Sequence, residues 1–215
     1  LILCVETQGL AQIISSMTGV SNLTGGIIGI VIGILYVCVA GVEEIGLVNS
    51  VNAILMYVIG FITLACMGIY LPGGWESVNG SLLASNPELL HALGNPAIIR
   101  GYVIGTFLSL SLGMNFIQSN CQAVASSDDL RVMRKAGIGA VVMNVMFGAI
   151  IISMGLASKA LVDQGVMEAA HGAEGLVVMI LQFLPNWLQI GIIGVFCAAM
   201  LSTVAMVALT IAVML

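Results

Sequence analysis

Charge is what this sequence has least of. Only 7% of its 215 residues are Asp, Glu, Lys or Arg, where soluble domains carry about 25%. A water-exposed surface cannot be built from so few charges, so a soluble globular fold is excluded. Lys and Arg together number five, and the formal net charge is -5. That excludes a nucleic-acid partner, which needs a basic stripe to offset phosphates. Histidine is almost absent. His91 and His171 fall in polar connections, and neither has a partner at a useful spacing. There is no nucleophile elbow, no phosphate-binding glycine loop and no zinc motif. No enzyme and no cofactor is therefore expected. The five cysteines (Cys4, Cys38, Cys66, Cys121, Cys197) lack metal-type spacing and read as small buried hydrophobes, not as disulfides. A signal peptide with a basic start is also missing. The chain opens at Leu1 inside one apolar stretch and closes at Leu215 at the end of another, which reads as truncation at both ends.

What is present is apolar. Hydrophobic residues make up 60% of the chain, with 26 glycines and 13 methionines. Lipid asks nothing polar of outward-facing side chains, provided every backbone group is satisfied within a helix. Glycine lets such helices approach closely. The expected fold is all-α: a polytopic transmembrane helix bundle forming one domain, 1–215. A span needs roughly 20 mostly apolar residues. Candidate spans lie at about 1–20, 25–40, 50–70, 97–118, 136–160 and 188–215. The segment 71–96, with Pro72, Pro87 and Pro96, reads as loop with one short surface helix. Residues 175–183, halted by Pro185, read as a short interfacial helix.

Lys and Arg in short loops set orientation. Arg131, Arg134 and Lys135 cluster in one connection, which is therefore expected in the cytoplasm. Alternation puts the connection 41–49, with Glu43 and Glu44, on the same side. The loops around Trp75 and His171 fall outside.

Polar residues within spans are costly and tend to serve function. Glu6 is the only acid well inside an expected span. It reads either as an ion or solute ligand or proton relay, or as an interfacial residue if Leu1 lies near a membrane face. Ser202 and Thr203 sit in mid-span. Their hydroxyls, with a free carbonyl one turn earlier, suit a small hard cation such as sodium. The competing reading is a hydroxyl bonded back to its own helix. Asn115 and Gln118, followed by Asn120, lie toward the inner end of the fourth span. Amides there bind a polar solute at a helix break, or mark a helix end meeting water. Asn49 and Asn52 read as a helix start.

Taken in order, these features resemble the sodium:solute symporter family, whose members share a five-plus-five inverted-repeat transporter fold. Gly9-Leu10-Ala11-Gln12-Ile13-Ile14, running on to Thr18-Gly19-Val20-Ser21, is similar to the family's third core helix and its exit. Leu35-Tyr36 with Ala40-Gly41-Val42, continued by Asn49, Asn52 and Met56, resembles the next stretch. Ala123 to Ala136 resembles its cytoplasmic loop. Most specific is Leu184-Pro185 to Gly194, followed by Ala198-Ala199-Met200-Leu201-Ser202-Thr203. The likeness covers essentially the whole chain, from the third to the eighth core helix, and its parity agrees with the orientation from Arg and Lys. The chain departs from the family pattern at Asn49, Asn52 and Cys121-Gln122, and in the apolar run 204–215.

The resemblance implies sodium as coupling ion, held by Ser202, Thr203 and the Ala199 carbonyl. The first core helix, which supplies the rest of that site in the family, is outside this sequence. The expected function is sodium-coupled symport of a small polar solute by a multi-pass protein of the plasma (inner) membrane. Glu6, Asn115 and Gln118 are the expected solute contacts, and the bilayer is the remaining partner. The alternatives are a non-transporting sensor module of a signalling protein and a sodium-independent permease of the same fold.

Overall fold

The computed structural model describes residues 2–91, 96, 99–105, 107–108, 129–168 and 173–214. Among them all regular structure is helical. Six α-helices are described: α1 (Ile2–Thr18), α2 (Asn22–Tyr70), α3 (Gly74–Ser85), α4 (Leu130–Asp163), α5 (Ala173–Phe183) and α6 (Asn186–Met214). A 3-10 turn at Pro87–Leu90 and a π-helical turn at Ile99–Val103 lie between α3 and α4. Most of the stretch 97–118 lies outside the described residues.

α1 stops where Gly19 takes the left-handed conformation, φ 73°, which costs glycine nothing. The Gly19 amide donates to the Ser15 carbonyl at 2.8 Å, and Ser15 Oγ donates to the Val20 carbonyl at 2.7 Å. Ser21 then caps α2, its hydroxyl accepting from the Thr24 amide at 3.2 Å. This short connection turns the chain by 116° between the 4–18 and 22–36 segments, so the start of α2 folds back along α1. The approach is very close. A Cβ at Gly25 would stand 2.8 Å from the Ala11 carbonyl oxygen. Two turns further on, a Cβ at Gly33 would stand 2.8 Å from Cγ1 of Val204 in α6. With Gly29, these residues recur every fourth position and leave a groove that α1 and α6 fill.

α2 joins the stretches 25–40 and 50–70 into one helix of 49 residues, about 74 Å at 1.5 Å per residue. The connection expected at 41–49 is helical. The physical reason is that nothing there stops a helix. No proline occurs between Asn22 and Tyr70, and Ala40, Glu43, Glu44 and Leu47 are good helix formers. The stop comes at Leu71-Pro72-Gly73-Gly74, where both glycines have positive φ, 71° and 58°. Asn49 and Asn52 accordingly lie within α2, not at a helix start.

α3 is the short helix expected in 71–96, and it packs one face inward. It buries Val78 and Leu82 against α4, and its Trp75 Nε1 donates to the Leu64 carbonyl of α2 at 3.1 Å. α5 is likewise packed, with Val177, Met179 and Ile180 buried. Pro185 breaks the chain before α6, and Gln189 Nε2 repairs the break by donating to the carbonyls of Leu181 and Leu184 at 3.0 and 2.6 Å. α4 begins at Asp129, whose Oδ1 accepts from the Arg131 amide at 2.8 Å. It ends at Gly165, φ 70°.

The described segments 47–70, 130–163 and 186–208 are long and apolar enough to cross a membrane. The bent pair 4–18 and 22–36 makes a fourth candidate if it counts as one span. Their outward faces carry Ile54, Val145 and Ile190, each more than 60% exposed. These features mark an α-helical membrane protein. The cysteines depart from expectation: Cys4 and Cys38 are exposed, while Cys66 and Cys197 are half-buried. An apolar side chain facing lipid is at no disadvantage, so small hydrophobes need not be interior here.

Candidate functional site

α1, α2, α4, α5 and α6 line a partly open cavity of about 340 Å³. One wall is a single face of α1, where Glu6, Gly9, Gln12 and Ile13 recur at three- and four-residue spacing. Gly9 leaves room for Met200, whose Cε would lie 2.7 Å from a Cβ there. The facing wall comes from α6, with Phe196, Ala199, Met200 and Thr203. Met56, Phe147 and Ile151 close the sides. Phe147 is held edge-on by Tyr57, centroids 6.1 Å apart and planes at 75°.

Three polar side chains line this otherwise apolar space: Glu6, Gln12 and Thr203. Among the described residues, Glu6 and Gln12 make no ion pair and no hydrogen bond. Thr203 Oγ1 donates to the Ala199 carbonyl at 3.1 Å, and Ser202 Oγ donates to the same oxygen at 2.8 Å. Three oxygens are thereby drawn together on one turn of α6. Ala199 and Thr203 line the cavity; Ser202 does not. Each hydroxyl spends its hydrogen on the carbonyl and keeps its lone pairs for another partner.

Glu6, Ala199 and Thr203, singled out in the sequence, therefore share one cavity despite lying at opposite ends of the chain. Asn115 and Gln118 lie outside the described residues. Gln12 was not singled out as a site residue. The signal that could have found it is the Glu6–Gly9–Gln12 run of three-residue steps, each linking neighbours on the helix surface. Asn49 Oδ1 and the Tyr36 hydroxyl are buried without a hydrogen-bond partner among the described residues. Asn49, Asn52 and the cavity-lining Met56 follow one another along α2 at helical spacing. Among the described residues no three His, Cys, Asp or Glu side chains converge as metal ligands.

No protein-family model, no curated protein and no solved structure matches the chain.

Proposed function

We propose that the protein is a sodium-coupled symporter of a small polar solute, built on the five-plus-five inverted-repeat fold and set as a multi-pass protein in the plasma (inner) membrane. One observation supports this above the rest. The unpaired Glu6 on α1 and the Ala199–Thr203 oxygens on α6 line the same cavity. Sodium prefers hard oxygen ligands. Ala199, Ser202 and Thr203 offer three on one turn of α6, beside a space large enough for a solute. Coupling follows if sodium bound on α6 stabilises the arrangement of α1 and α6 that also holds the solute.

The test is uptake by the full-length protein in liposomes, with an inward sodium gradient against a matched potassium control. Sodium-driven accumulation of a solute is expected. Ser202→Ala together with Thr203→Ala should abolish the sodium dependence; unchanged dependence would sink the assignment of sodium to these residues.

One observation favours a second reading. Both hydroxyls already bond back to Ala199, as packing hydroxyls in membrane helices do. A sodium-independent permease of the same fold would show equal uptake in sodium and potassium.

A further inference from the structure

Taking the cavity as the solute site, as above, we propose that its solute is a small organic cation, with an ammonium head against Glu6 and a short apolar body on the opposite wall. The argument starts from the unpaired carboxylate. Glu6 lies in a space whose other walls are almost wholly apolar, and among the described residues it has neither a cationic partner nor a hydrogen-bond donor. A lone carboxylate half-buried among apolar side chains is costly until a positive charge or a proton joins it. A cationic solute supplies that charge at the moment of binding. Gln12, six residues further along α1, lines the same cavity and offers an amide carbonyl as a further hydrogen-bond acceptor.

The remaining lining selects against other classes. An anionic solute would face Glu6 as a like charge. A polyol or sugar would bring hydroxyls on every side. The cavity offers only Glu6, Gln12 and Thr203 to meet them, and the Thr203 hydrogen is committed to Ala199. Phe147 and Phe196 among the walls offer apolar surface to the short body of such a solute. The volume, about 340 Å³, sits at the low end of small-molecule sites, about 300–1,000 Å³, so the solute is small.

The experiment is calorimetric titration of the purified full-length protein with three probes of matched size: n-butylammonium, 1-butanol and potassium butyrate, each in sodium and in potassium buffer. The expected result is n-butylammonium binding at least tenfold tighter than either other probe. Glu6→Gln should lose that preference, and Glu6→Asp should keep it with weaker binding. Butanol or butyrate binding as tightly as n-butylammonium would overturn the proposal. So would no n-butylammonium binding at all, or an unchanged preference in Glu6→Gln. Should Glu6→Gln not fold, the wild-type preference alone decides. The two buffers separate this proposal from symport. An ammonium preference equal in both ions upholds the cation class and removes sodium coupling. Sodium-enhanced binding of butyrate or butanol removes the cation class and leaves coupling in place.

Discussion

The two ends of the bundle are built on different terms. Where α3 meets the last turns of α4, the chain is stapled. Asp163 accepts from Ser85 Oγ and Asn86 Nδ2, both at 3.1 Å, and pairs with Lys159. Gln164 Nε2 donates to the Ser77 carbonyl and hydroxyl at 3.2 Å. Beneath these polar links Leu82, Met154, Leu161 and Ile180 are fully buried. The cavity region is the opposite case. There α1, α2 and α6 meet closely at glycines, and among the described residues the cavity-lining Glu6 and Gln12 stand without partners. One region has its polar groups satisfied internally; the other leaves them open to something that enters. The symport proposed above would use both: a scaffold that stays put and a site whose groups are completed by its cargo.

The comparison can be broken at either end. The largest effect should come from Leu161→Ala, which empties a fully buried position under the staples. Thermal unfolding followed by tryptophan fluorescence should report a loss of about 2–5 kcal/mol, since Trp75 packs in this region. An unchanged midpoint would show that this end is not the scaffold. Next is Gly33→Val. Its side chain would collide with Val204, and overpacking of this kind costs about 1–3 kcal/mol. The paired control is Gly139→Ala in α4, where an added Cβ meets nothing within 4 Å. That change should stabilise by up to about 1 kcal/mol through helix propensity. Equal effects at both glycines would mean that α2 and α6 are not in contact through Gly33. The smallest effect is expected for Asp163→Asn. This group is exposed to water, so its ion pair is screened. The midpoint difference from wild type should be slight and should shrink as potassium chloride is raised.

Helicity and membrane character were legible because they rest on bulk quantities: charge scarcity and the length of apolar runs. Which face of each helix points inward was not. In water, polarity marks the outside, but in lipid Ile54 facing out and Ile150 facing in look alike. α2 therefore gave no warning that it would run unbroken, and its stop at Pro72-Gly73-Gly74 was noticed only as loop composition. The docking of α3 was hidden for a related reason. Its serines and Asn86 read as solvent-loving, whereas Ser77, Ser85 and Asn86 are spent on α4 and its exit. Glu6 was legible because a carboxylate in an apolar run is conspicuous on its own. Gln12 was not, since its meaning depends on sharing a face with Glu6. Ser202 and Thr203 were legible as a pair, and their back-bonds to the Ala199 carbonyl follow one of the two readings the sequence allowed.

One consequence follows from the length of α2. Its first turns lie against α1 at Gly25, its fourth turn touches α6 at Gly33, and its last turns receive the Trp75 hydrogen bond at Leu64. An unbroken rod of that kind is a lever. If it pivots near its Tyr70 end, where Trp75 of α3 bonds to Leu64, a tilt of about 5° sweeps its Asn22 end through about 6 Å, given a length near 74 Å. The glycine contacts sit along the arm, so a rotation too small to disturb the pivot would open or shut the seams against α1 and α6. The stapled end would then act as a fulcrum, and the gearing between a small event there and a large one beside the cavity would be set by helix length alone.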